Sequence, residues 1–97
     1  MTRLRWSLRS VEDLEAIREY ISRDSPHYAQ LMVQRLVNSV ERLIEFPEIG
    51  RIVPEVGEHE LRELIVRPFR LVYRIRPGLV EVATVFRSSR QFPHDLV

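Results

Sequence analysis

The sequence contains no cysteine and no lysine. Without cysteine there can be no disulfide, no thiolate nucleophile and no cysteine-based metal site. The lack also fits a reducing compartment. Long apolar runs are missing too: none approaches the roughly 20 residues of a membrane span, and the N-terminus lacks the apolar region of a signal peptide. The expectation is therefore a cytoplasmic protein without membrane contact. With lysine absent, the 15 basic residues are all arginine, set against 14 acids for a net charge of +1. A genome favouring arginine codons gives this composition, and so does a need for bidentate contact with phosphate or carboxylate. The arginines are spread along the chain, and composition gives no sign of sequence-specific DNA binding. The 97 residues are read as one domain, 1–97, a length that buries roughly 60–70% of the unfolded surface.

What is present is organised around Leu61–Arg87, three runs rich in Val, Ile, Leu, Phe and Tyr broken at Arg67-Pro68 and Pro77-Gly78. Such runs predict three consecutive antiparallel strands. A tight turn at Pro77-Gly78 sets Arg76 opposite Leu79, Arg74 opposite Glu81, Val72 opposite Ala83 and Arg70 opposite Val85. Alternation then defines two faces. One collects Leu64, Val66, Phe69, Leu71, Tyr73, Ile75, Val80, Val82, Thr84 and Phe86, and needs a cover. The other mixes Arg70, Arg74, Arg76, Arg87, Glu63 and Glu81 with Leu61, Ile65, Val72, Ala83 and Val85.

Upstream, Arg3–Ser7 alternates like a short strand with Leu4 and Trp6 inward. Ser10-Val11-Glu12-Asp13 resembles a capping box with aspartate in place of glutamate. It predicts a helix with Val11, Leu14, Ile17 and Ile21 on one stripe. Ser25 caps and Pro26 opens a second helix running to about Phe46, with Ala29, Met32, Val33, Leu36, Val37, Val40, Leu43 and Ile44 on its stripe. Pro47–Arg51 reads as a turn and Ile52–Glu60 as an exposed loop. After Arg87, Ser88–Gln91 predicts a helical turn before Phe92-Pro93 and a short tail. The fold class is α+β, in the order β-α-α-β-β-β: an antiparallel sheet with a helical hairpin packed on one face.

This order and its short motifs resemble the RelE/ParE family of type II toxins. The matching pieces are the Trp6 strand, Asp13-Leu14 with Ile17 and Tyr20-Ile21, and Ser25-Pro26. They continue with Leu43, Phe46–Arg51, Arg62-Glu63-Leu64, Phe69–Ile75 and Val85–Pro93. The resemblance covers nearly the whole chain. It implies a toxin neutralised by a cognate antitoxin in a hetero-oligomer, with no cofactor and no metal.

The family splits by mechanism. RNA cleavage through the 2′-hydroxyl needs a base, an acid and cations for the developing charge. Arg70 falls where the ribonuclease branch carries a phosphate-stabilising arginine. At the end of the last strand, where that branch places histidine or tyrosine, stand Phe86, Arg87, Ser88 and Ser89. A guanidinium stays protonated and makes a poor base, Tyr73 points inward by parity, and His27, His59 and His94 fall off the face. The closer resemblance is to the ParE-like branch, which implies poisoning of DNA gyrase. The alternatives are a ribosome-dependent endoribonuclease using Arg70, Arg87 and Tyr73, and a non-toxic antitoxin-binding member. Leu61, Ile65, Arg70, Val72, Arg74, Val85, Arg87 and Arg90 are the residues expected to meet antitoxin or target. Their apolar members would leave a patch in water unless the tail or another chain covers it. Arg74 facing Glu81 also has a plain reading as a cross-strand ion pair.

Overall fold

The computed structural model describes residues 1–96; Val97, the end of the tail, lies outside the described residues. The elements are β1 (Arg3–Trp6), α1 (Leu8–Ser22), α2 (Pro26–Glu41), β2 (Arg51–Ile52), β3 (Leu61–Val66), β4 (Phe69–Arg76) and β5 (Leu79–Arg87). They build one five-stranded sheet in the order β1-β5-β4-β3-β2. The two-residue β2 lies in what reads from sequence as turn and loop. The strands β2 to β5 are antiparallel, as expected, but β1 joins β5 in parallel and makes the sheet mixed. No described helix is long and apolar enough to cross a membrane.

Side-chain caps set the helix starts. The cap of α1 is Ser7, not Ser10: its hydroxyl accepts from the Ser10 amide at 3.1 Å. Asp13 is thereby freed from capping. Its carboxylate instead accepts the Thr84 hydroxyl and, at 3.0 Å, the Val85 amide. The Ser7 hydroxyl donates to the Ala83 carbonyl at 3.0 Å. β1 has ended at Trp6, so the cap residue Ser7 and Asp13 of α1 satisfy the edge of β5 where a strand would otherwise be needed. Val11 sits at the margin of the α1 stripe and is exposed, whereas Leu14, Ile17 and Ile21 pack inward. α2 starts as expected, with Ser25 accepting from the Tyr28 amide at 3.1 Å and Pro26 in the first turn. It tightens to a 3-10 turn over Arg42–Ile44, which leaves Ile44 and Phe46 exposed.

Met32, Leu36, Val40 and Leu43 pack on Val66, Phe69, Leu71, Tyr73, Val80 and Val82, with Leu4, Trp6, Leu64 and Ile75 at the margin. This is the covered face read from the alternation. The hairpin register also holds near the Pro77-Gly78 turn: Arg76 faces Leu79 and Arg74 faces Glu81. Farther along it slips. Tyr73 faces Val82 while Val72 faces Thr84, so Ala83 is an extra residue, a β-bulge. A one-residue bulge reverses facing beyond it. Val85, expected on the mixed face, joins the core beneath the helices, and Phe86, expected in that core, turns to the mixed face.

The mixed face is covered by the chain itself. Val53 and Phe92 bury Leu61 and Val72, with Val56, Ala83, Phe86 and Leu96 around them. The Ile52–Glu60 segment is therefore only partly an exposed loop. Its Val56 and Gly57 amides donate to the Val53 carbonyl at 3.1 and 2.9 Å, and that turn holds Val53 down on the sheet. Past β5, Ser88-Ser89 is a turn; the helical turn predicted there lies instead at His94–Leu96.

Gly50 closes the join between α2 and the sheet. Its amide donates to the Tyr73 phenol oxygen at 2.9 Å, and that hydroxyl donates to the Pro47 carbonyl at 2.7 Å. A Cβ on Gly50 would lie 2.6 Å from both the Glu63 carbonyl and the Tyr73 hydroxyl. Gly50→Ala should therefore destabilise the fold by about 1–3 kcal/mol, the usual cost of overpacking. A urea titration followed by circular dichroism reads this, and an unchanged midpoint would contradict the close approach.

Candidate functional site

Arg70 stands in the middle of the mixed face, where β4 places it opposite Ile65 and Phe86. Sequence reading gives it no charged partner, and the structure corrects this. Its Nε donates to Glu63 Oε1 at 2.7 Å, and its Nη1 and Nη2 reach the two Glu55 oxygens at 2.8 Å each. The Glu63 carboxylate is fully buried and also accepts from Arg51 Nε. The rings of Phe86 and Phe92 lie 5.2 and 5.6 Å from the Arg70 guanidinium carbon. Arg70 is only 8% exposed. A bidentate, aromatic-flanked guanidinium is among the strongest side-chain clamps available. The Glu55 hydrogen bond pushes the Arg70 pKa up, and that same bond holds the Glu55 carboxyl down at about 2.

This clamp changes what Arg70 can do. Every side-chain nitrogen of Arg70 is engaged, so a phosphate could reach it only by displacing Glu55. Tyr73 is fully buried, bonded to Gly50 and Pro47, and burial pushes its phenol pKa up. The Arg87 guanidinium lies over the rings of Tyr20 and Phe69 at 5.6 and 5.5 Å. Arg70, Arg87 and Tyr73 therefore do not share one solvent-open site. Of the histidines, His59 sits 3.4 Å from Glu48, and His94 meets the Phe92 ring edge-on at 5.4 Å. Among the described residues no cluster is arranged to hold a metal.

The expected contact patch is also reshaped. Leu61 and Val72 are sealed under Val53 and Phe92, and Val85 lies in the helix-side core. Only Ile65 of the apolar members stays open, at 45% exposure. Arg74 does not pair with Glu81: it donates to the Leu96 carbonyl at 3.1 Å, while Glu81 takes Arg5 across the parallel pair at 3.0 Å. Arg90 remains exposed beside Arg87.

Two hollows flank Arg87. One, of about 490 Å³, lies between α1 and the end of β5, with Ile17 and Val85 among its apolar walls and Arg9, Tyr20, Arg87 and Arg90 among its other lining residues. The other, of about 690 Å³, has Arg51, Ile65, Arg67, Arg87, Ser88 and Ser89 in its lining. Sequence reading missed Glu55, Glu63, Arg51 and Arg67. For Glu63 a signal was there, since the register already set it diagonal to Arg70 on the same face. Glu55 carried none.

Two outcomes follow. Val72→Asp would place an unpaired charge in a sealed layer, so it should lower the melting temperature sharply; a variant as stable as the parent would mean the layer is open. Glu55 has a folded pKa of about 2 against an ordinary value of 4.5. A depressed carboxylate contributes stability fully above its unfolded value and loses it as pH falls toward its folded one. Glu55→Gln should thus be less stable than the parent at neutral pH, and the gap should narrow below pH 4.5 and close near 2. Thermal melts across this range measure it, and a gap independent of pH would contradict the clamp.

The chain is similar to known proteins both in sequence and in fold. Residues 4–92 match the family described as ParE toxin of the type II toxin-antitoxin system, parDE. Toxin RelE2 of Caulobacter vibrioides is 37% identical over 91 residues, covering 93% of this chain and 99% of that protein. Putative toxin Y4kP of Sinorhizobium fredii is 36% identical over 97 residues, covering 97% and 96%. A structure titled as the chromosomal ParDE TA system from P. aeruginosa superposes with a TM-score of 0.75 at 26% identity, over 90% of this chain and 96% of that one. The fold, two helices on a five-stranded mixed sheet, is shared with it. By sequence and by architecture, then, this chain belongs to the ParE toxin family of type II toxin-antitoxin systems.

Proposed function

We propose that this toxin acts in the cytoplasm as a protein ligand that traps DNA gyrase on cleaved DNA, and that a cognate antitoxin neutralises it in a hetero-oligomer. One observation carries the reading. Around Arg87, Arg90, Arg51 and Arg67 most ionisable groups are guanidiniums, which stay protonated, and the exposed phenol among them is Tyr20, whose ring lies 5.6 Å from the Arg87 guanidinium. Of the nearby carboxylates, Asp13 is bonded to Thr84 and Val85 and Glu63 is buried against Arg51 and Arg70, while the Tyr73 phenol lies inside the fold. A surface so equipped binds and orients; it has little with which to move a proton. That supports stalling a partner over cutting RNA.

The hollow between α1 and β5 is the surface that best fits an antitoxin. Its apolar walls and the rim arginines Arg87 and Arg90 suit an amphipathic segment carrying acids, whereas Arg9 is already paired with Asp95 at 2.8 Å. Purified toxin should trap cleaved DNA when mixed with gyrase and supercoiled plasmid. In a parallel tube with translating ribosomes it should leave the message intact. Discrete cuts in the message, or no effect on gyrase, would overturn the proposal.

A further inference from the structure

We infer that the arginine-rimmed hollow at the Arg67-Pro68 turn is a contact site for the phosphodiester backbone of nucleic acid. Arg51, Arg67 and Arg87 line it together with Ser88 and Ser89, and its lining includes no carboxylate. The surrounding charges do not cancel. Arg51 and Arg70 are matched by Glu55 and Glu63 in the clamp beneath. Among the described residues Arg67 and Arg87 take part in no ion pair. Two positive charges are thus left over on one rim of a chain whose net charge is only +1.

The rim is also held in place before anything binds. The Ser88 amide donates to the Pro68 carbonyl at 2.9 Å, which ties the two turns together. Arg87 rests against Tyr20 and Phe69. Arg51 is anchored through Nε to Glu63 while its side chain stays 60% exposed. Anchored guanidiniums lose less freedom on binding than free ones.

Phosphodiester fits better than two other anions. The arginines come from three separate segments around the hollow: Arg51 on β2, Arg67 at the turn after β3 and Arg87 at the end of β5. Successive phosphates of a polymer can meet them in turn. An acidic peptide would need apolar anchors as well, and the lining offers only Ile65 and Pro68. The site is distinct from Arg70, which lies sealed under Glu55 and Phe92. It does not rest on gyrase being the target.

The test uses the full chain alone, with a short fluorescent DNA duplex and the matching RNA strand, read by anisotropy over a salt series. Two phosphates neutralised, one each by the unpaired Arg67 and Arg87, predict a slope of about −1.8 for the duplex in a plot of log affinity against log salt. Arg67→Gln and Arg87→Gln should each reduce that slope by about 1. Arg3→Gln removes the same charge on β1, at the opposite edge of the sheet, and should leave the slope unchanged. Circular dichroism confirms that each variant is folded. The inference is overturned if Arg3→Gln weakens binding equally, if no salt-dependent binding occurs, or if polyglutamate binds more tightly than DNA. Displacement of the duplex by inorganic phosphate at matched phosphate concentration would also overturn it, since that marks a single-ion site. No gyrase is in the tube, so this result and the trapping assay can fail separately.

Discussion

Arg70 carries a positive charge beneath the mixed face of the sheet, and two carboxylates have to accompany it. A buried ion left without its partner costs about 3–5 kcal/mol, so Glu63 on β3 and Glu55 in the covering segment are both committed to it. The covering segment is thereby set in place: Glu55 can reach Arg70 only if residues 53–57 fold over Leu61 and Val72. Phe92 follows, closing the layer from the tail side and flanking the same guanidinium. One ionic cluster thus joins a strand, a loop and the tail that are far apart in sequence. Well-packed apolar residues could match its stability, but they would not specify which loop covers which strand.

The second organising feature is the bulge at Ala83. Before it, β5 sends Val80 and Val82 to the helices; beyond it, Val85 takes the helix side and Phe86 the other. The insertion brings Phe86 over Arg70. It also falls near the point where β1 ends, so Ser7 and Asp13 of the α1 region take up the polar groups that β1 no longer reaches. The helix is fastened to the sheet by hydrogen bonds there as well as by its apolar stripe.

These two features separate this toxin's inner chemistry from its outer surface. Arg70 and Tyr73 are both held inside the fold, one in a clamp and the other in the join at Gly50. What faces water at the end of the sheet is a group of arginines with few acids among them.

The helical hairpin, the three long strands and the inward face were legible from periodicity, because each depends on side chains spaced along a single element. The family was legible as a resemblance, carried by the order of several short motifs along the chain. The clamp around Arg70 was half legible: Glu63 shares its hairpin, and the register alone brings the two close. Glu55 lies in a segment without periodicity, and no local rule says which sheet face a loop will cover. The bulge was invisible for a related reason. A single inserted residue leaves the composition of a strand unchanged, and only the competing demands of both packed layers determine where it falls. Element type is set by neighbours along the chain; burial, pairing of charges and final facing are set by neighbours in space, which the folded chain alone supplies.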